Sequence, residues 1–402
     1  MPEVVSSIVE KPSLADWTGA IRRSALQDML VEASRPGILS LALGLPAPEL
    51  FPTTELSRAA SRVLAQEERA LQYSPPLQSL KRQVVELMAR RDVKCREEQI
   101  FLTAGAQQGI SLLTRLLLNP GGRVLTEELT YTGFQQALQP FQPQVLTVPT
   151  DLLTGMDVEA VEGLLKGGER PAFIYTVTNG HNPLGVSMSV EKRERLVQLA
   201  ERYRIPIIED DPYGFLYYEE AQVQPLRSFS ETWVYHVGSF SKILAPALRA
   251  GWLVVPEEII RHLAVLKESS DIDTTTFSQR IISNYLAEEN LDTHLLNLRR
   301  EYRLRRDTML EALEKNFPAE ARWHRPACGF FVWVELPEAM DATHLLKIAL
   351  ETEQVAFIPG SAFSVHDRVL AANCLRLNYS NATPARITDA IARLGRVLNS
   401  QK

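Results

Sequence analysis

Cysteine is scarce in this chain: Cys95, Cys328 and Cys374 are the only three among 402 residues. Their number is odd and no CxxC spacing occurs, which argues against a disulfide framework or a zinc knuckle and fits buried thiols in a reducing cytoplasm. An excess of one charge is also lacking. The net charge is -6 with acids and bases interspersed, so nothing supports a nucleic-acid or membrane-surface partner. No apolar run approaches transmembrane length, and Met1 to Glu10 lacks the basic start and apolar core of a signal peptide. Repeats and low-complexity tracts are absent. So are GxGxxG and Walker loops, which leaves dinucleotides and nucleoside triphosphates without a motif.

What is present is a chain too long for one simple core, which points to two domains. From about residue 97, β-rich apolar runs alternate with helical ones. Strands are expected over 99–103, 123–127, 145–148, 172–177 and 206–209, and helices over 107–118, 131–138, 158–165 and 190–203. Two more strands follow at 233–238 and 251–255. This alternation predicts an α/β fold with a mostly parallel sheet covered on both faces. A helical region from Glu257 to about Lys315 leads away from the sheet, and the remainder reads as a smaller α+β domain. Near the N-terminus, 21–33 has helical spacing and 38–43 reads as a short strand.

Several segments carry chemistry at the carboxyl edge of this sheet, where α/β proteins bind ligands. In Ser239-Phe240-Ser241-Lys242, with Arg249 beyond, a lysine lies between hydroxyls and just ahead of a cation. That setting suits an amine linked to an aldehyde cofactor, with Ser and Arg left to hold a phosphate. Thr103 to Gly109 is a small-residue junction where exposed helix amides favour an anion, although an empty tight turn reads equally well. Tyr131 can stack on a flat ring or be an ordinary half-buried tyrosine. Asn182-Pro183-Leu184-Gly185 can present an amide to a phenolate-type oxygen, or be a plain Asn-Pro turn. Glu209-Asp210-Asp211 follows an apolar strand. A carboxylate there needs a partner, such as a protonated ring nitrogen. A metal is ranked low because no His or Cys lies near in sequence. Arg376, amid apolar strand residues, fits a bidentate carboxylate or an internal salt bridge.

Together these segments resemble the class I/II aminotransferases of the fold-type I pyridoxal-phosphate enzymes. The likeness is greatest to the 2-aminoadipate/kynurenine aminotransferase group, which is related to the catalytic domains of MocR-type regulators. It runs from Gly44-Leu45-Pro46-Ala47-Pro48 through Asp210-Asp211-Pro212-Tyr213-Gly214 and Gly329-Phe330-Phe331-Val332-Trp333 to Leu375-Arg376-Leu377-Asn378-Tyr379. The resemblance implies a large cofactor domain (51–295), a small C-terminal domain (296–402) and an N-terminal segment (1–50) packing with the small domain and active site. It implies that Lys242 forms the internal aldimine with pyridoxal 5'-phosphate and shuttles the proton. Asp210 pairs with the pyridine nitrogen, Asn182 and Tyr213 bond the phenolic oxygen, and Tyr131 stacks on the ring. Ala106, Gln107 (backbone and side chain), Ser239, Ser241 and Arg249 hold the phosphate. Arg376 and the backbone of Gly44 take the substrate carboxylate, and Tyr73 reaches the phosphate of a neighbouring subunit in a homodimer.

Several positions depart from the family pattern. After Tyr73-Ser74 the chain reads Pro75-Pro76-Leu77-Gln78-Ser79-Leu80, where a glycine-containing segment is usual, and Leu184 stands where the Asn-Pro turn usually has Thr. His181 precedes the Asn-Pro turn and reads as a loop histidine without a catalytic part. Ala106 stands where Ser is frequent. Gln27 occupies a position where relatives often carry Arg for a distal carboxylate, with Arg22 and Arg23 about a turn earlier. The expected activity is transfer of an amino group from an L-amino acid to a 2-oxo acid in a ping-pong cycle, in the cytoplasm, with no metal. The alternative is another reaction of the same cofactor: racemase, decarboxylase, lyase or oxidase. A DNA-binding regulator is disfavoured, since the phosphate loop already begins at Thr103.

Overall fold

The computed structural model describes residues 13–20, 35–219, 223–289, 291–366 and 369–400. The expected helix over 21–33 and the Gln27 assignment lie outside them. A seven-stranded sheet forms the centre. Its strands in chain order are β1 (Ile100–Thr103), β2 (Arg123–Glu127), β3 (Gln144–Val148), β4 (Ile174–Val177), β5 (Ile207–Asp210), β6 (Val234–Ser239) and β7 (Gly251–Val254). In space they run β1-β7-β6-β5-β4-β2-β3, with only β7 antiparallel to its neighbours. The mostly parallel sheet expected from the alternation is borne out.

Both faces are buried because helices cover both. Phe101, Phe134, Phe173, Tyr175 and Leu253 pack on one side. Leu125, Ile174, Leu196, Ile207 and Val234 pack on the other. Strands buried on both faces must be apolar throughout, and this made them legible as continuous runs. Local signals set the helix starts. The Asp157 side chain accepts from the Ala160 N–H at the head of Val158–Lys166, and Ser189 plays the same role for Val190–Tyr203. The helix Ala106–Leu117 (here α1) differs: it begins at Gly105 with no side-chain cap.

Two helices between 51 and 97 were not anticipated, Thr53–Gln66 and Gln78–Ala89. The helical region after β7 is three helices: Glu257–Asp271, Thr276–Glu288 and Leu291–Asn316. The last leads to a second, four-stranded sheet built from Arg322–Trp323, Phe331–Glu335, Ile358–Pro359 and Cys374–Asn378. The N-terminal strand shrinks to Leu39–Ser40, which pairs in parallel with Val355–Ala356. That pairing sets the chain from Leu41 to Leu45 between the two sheets. No helix among the described residues is long and apolar enough to cross a membrane.

Candidate active site

A cavity of about 320 Å³ opens at the carboxyl edge of the main sheet. Gly44, Ala106, Gln107, Tyr131, Asn182, Asp210, Tyr213, Ser239, Ser241, Lys242, Arg249 and Arg376 all line it. Every sequence-based site residue among the described ones is therefore here except Tyr73. Tyr73 is 79% exposed and borders a separate surface cleft with Asp273 to Phe277.

At one end of the cavity the residues favour an anion. Gly105 adopts φ +93°, and a Cβ there would stand 2.8 Å from Arg249 Nη2, so the turn needs glycine twice over. Arg249 donates to the Ala104 carbonyl at 2.8 Å, which sets its guanidinium against this turn. The uncapped start of α1 leaves the first amides without side-chain acceptors. Ser239 Oγ accepts from the Ser241 N–H at 3.1 Å, bringing both hydroxyl residues to the same rim. The Gln107 side chain also lines this end; its Nε2 donates one bond to the Gly133 carbonyl at 2.7 Å.

Across the cavity lies Asp210. The expected strand ended at Glu209, but it runs on to Asp210, held by pairing with β4 and β6. Asp210 is buried. Its Oδ2 accepts from Tyr175 Oη at 2.7 Å, and its Oδ1 has no partner. Burial pushes the carboxyl up to about 7, with Asp211 and Glu209 adding to the rise and the Tyr175 hydrogen bond opposing it. A carboxylate oxygen left alone in a buried wall is the group expected to face a cationic ring nitrogen.

Between these ends, Lys242 Nζ donates to the Gly44 carbonyl at 2.9 Å. Burial, then the charges of Arg376 and Arg249, push its ammonium down to about 8, so the neutral amine is a minor but accessible form near physiological pH. Arg376 is buried, with its guanidinium carbon 4.2 Å from the Phe331 ring centroid and 4.7 Å from that of Phe363. It donates to Asn182 Oδ1 at 2.7 Å and to the Ala42 carbonyl at 2.6 Å, and its Nε is unpartnered. The internal salt bridge considered for it is replaced by these neutral acceptors. Tyr131 sits at the head of helix Thr132–Leu138, its phenol pushed up to about 12 by burial first and Asp210 second.

Beyond the cavity, the structure adds detail at two places. His181 is a core residue. Its Nε2 lies 3.7 Å from Glu127 Oε1, and burial holds the imidazole down to about 3 and the Glu127 carboxyl up to about 7. The acids at 209–211 also have a histidine beside them after all. His236, adjacent in register on β6, reaches Glu209 Oε2 at 2.9 Å. Glu209 and Asp211 are otherwise saturated by Thr178, Leu226, Arg227, Asn179 and a buried ion pair with Arg91. This wiring, not a ligand, accounts for the cluster.

An amine, a buried unpaired carboxylate, an anion cradle and a second guanidinium in one cavity fit pyridoxal phosphate, and define a fold-type I pyridoxal-phosphate transferase. The family model for aminotransferase class I and II matches residues 38–394. The 2-aminoadipate transaminase of Thermus thermophilus is 38% identical over 390 residues, covering 94% of this chain and 95% of its own length. Aromatic-amino-acid aminotransferase 1 of Thermococcus litoralis is 36% identical over 390 residues, covering 95% and 93%. Among solved structures, the α-aminoadipate aminotransferase of Thermus thermophilus complexed with N-(5'-phosphopyridoxyl)-L-leucine superposes with a TM-score of 0.88 at 36% identity, covering 96% of this chain and 97% of that one. The chain belongs to the class I and II aminotransferases. It is a pyridoxal-phosphate enzyme that moves an amino group from an amino acid to a 2-oxo acid in a ping-pong cycle.

Proposed function

We propose that this cavity is where the transfer occurs, with each wall residue in a distinct role. The observation that carries the assignment is the joint placement of Lys242 Nζ, the unpartnered Asp210 Oδ1 and the Arg376 guanidinium around one space. Lys242 is the residue to which the cofactor is tethered, and its amine takes and returns the proton at the substrate α-carbon. Asp210 Oδ1 faces the ring nitrogen and keeps it protonated. Asn182 and Tyr213 bond the phenolic oxygen, and Tyr131 covers the ring. The amides of Ala106 and Gln107, with Ser239, Ser241 and Arg249, hold the phosphate. Arg376 and Gly44 orient the substrate carboxylate. When bound, pyridoxal phosphate supplies the electron sink that makes the α-proton acidic; the protein supplies position and charge.

The same reading assigns 51–295 to a cofactor domain and 296–402 to a small domain, joined through the long helix Leu291–Asn316, with 1–50 packing against the small domain and active site. The pairing of Leu39–Ser40 with Val355–Ala356 supports this. It also makes the working unit a cytoplasmic homodimer. Tyr73 is remote from its own chain's cavity, which fits a residue that serves the partner's phosphate. Gln27 is proposed to meet the distal end of the substrate.

Borohydride trapping followed by peptide mass spectrometry tests the central assignment. A pyridoxyl mass on the peptide holding Lys242, absent in Lys242→Ala, supports it. A pyridoxyl mass on any other lysine refutes it.

A further inference from the structure

Tyr175 carries no role in the sequence reading, where it is one apolar residue of a buried strand. In the structure its hydroxyl touches the cofactor wall. Asp210 pairs in register with Val177, and Tyr175 stands two residues earlier on the same face of β4. Diagonal neighbours on one sheet face are within reach of a long aromatic side chain, and Tyr175 Oη donates to Asp210 Oδ2 at 2.7 Å. The ring itself is fixed. It stacks on Phe134 with centroids 3.7 Å apart and planes 8° from parallel, and both residues are fully buried.

We propose that Tyr175 is a positioning residue that locks the Asp210 carboxylate in one rotamer, so that Oδ1, and not Oδ2, is presented to the cofactor ring nitrogen. This rests on the reading of Asp210 as the ring-nitrogen partner. The chemistry follows from the two oxygens. One is occupied by a donor that has no freedom to swing away. The other is left bare in a buried wall, where only a ligand can satisfy it. A donated hydrogen bond also favours the ionised carboxylate against the neutral one. The groups facing this pair are Glu127 at the end of β2, Tyr131 in the loop after it, and the acids Glu209 and Asp211 on the same segment as Asp210. None of them donates to Oδ2, so Tyr175 alone holds that oxygen among the described residues.

A buried tyrosine with a satisfied hydroxyl is also an ordinary core residue, and the test separates the two roles. Pyridoxal-phosphate dissociation constants are measured on apoprotein by equilibrium dialysis for wild type, Tyr175→Phe, Asp210→Ala and the double variant. Tyr175→Phe keeps the ring on Phe134 and removes one oxygen. The expected result is about tenfold weaker cofactor binding, the usual worth of a hydrogen bond to a charged group, with no further loss when Asp210 is already Ala. Phe134→Leu, which keeps the hydroxyl but frees the ring, is expected to lose affinity too, again only when Asp210 is present. An equal loss in both backgrounds, or none in wild type, overturns the proposal. If Asp210→Ala alone leaves cofactor affinity unchanged, the reading of Asp210 fails and the proposal falls with it.

Discussion

Arg376 and Asn182 lie 194 residues apart in sequence and meet at 2.7 Å between Nη1 and Oδ1. One comes from the small sheet and the other from a loop of the main sheet. The same guanidinium donates to Ala42 from the N-terminal segment, so one side chain ties three parts of the chain to the cavity. A planar fork held at both tips is pre-set for a carboxylate, and a lysine ammonium cannot reproduce that geometry. Arg376→Lys is expected to raise KM for amino donors roughly 10–100-fold, as loss of a charged hydrogen bond would. Cofactor affinity should change little. Steady-state kinetics beside a cofactor titration checks both parts.

Asp210 makes apoprotein stability depend on pH. Its carboxyl is raised by burial from an ordinary 3.8 to about 7. A raised acid contributes stability that is complete below the unfolded value and lost as pH rises through the folded one. The apoprotein should therefore lose stability between about pH 4 and 7 through this group. Asp210→Asn removes the penalty and should stabilise the apoprotein at pH 8 by about 1–3 kcal/mol, with little change at pH 4. Denaturant titrations at the two pH values read this directly.

Gly105 is required both by its φ of +93° and by Arg249 at 2.8 Å from any added Cβ. Gly105→Ala should displace the guanidinium and weaken pyridoxal-phosphate binding about tenfold, in line with the loss of one charge-assisted contact. Affinity for pyridoxal without its phosphate should barely move. An equal loss for both ligands would place the damage elsewhere in the fold.

The shared-site arrangement has a hybrid test. Tyr73→Ala and Lys242→Ala, each inactive or impaired alone, are unfolded together and refolded. If Tyr73 serves the opposite subunit, each hybrid dimer regains one intact site, and activity should return to about a quarter of wild type for random pairing of subunits. If Tyr73 serves its own chain, no hybrid holds an intact site and no recovery appears.

The parallel sheet and most of the cavity were legible because the relevant signals are local. Apolar runs mark the doubly covered strands, and Ser239-Phe240-Ser241-Lys242 and Asn182-Pro183-Leu184-Gly185 fall in the loops just beyond them. What escaped is non-local. Asp210 read as lying just past its strand because its partners, Val177 on β4 and Val237 on β6, are set by tertiary pairing. His236 lay far from Glu209 in sequence and beside it in register. His181 read as a loop residue, since nothing in its neighbours shows that Val186 and Glu127 close over it. Tyr175 looked like any aromatic strand residue until the Asp210 carboxylate was found under its hydroxyl.

The most direct measurement is a single half-reaction followed by absorbance. Holoenzyme is mixed with each of a panel of amino acids and no acceptor. The account predicts, for at least one amino acid, full conversion of the cofactor to its pyridoxamine phosphate form with one 2-oxo acid released per site, reversal on adding a 2-oxo acid, and no conversion in Lys242→Ala. Catalytic turnover of an amino acid without any acceptor, or conversion that persists without Lys242, would contradict it.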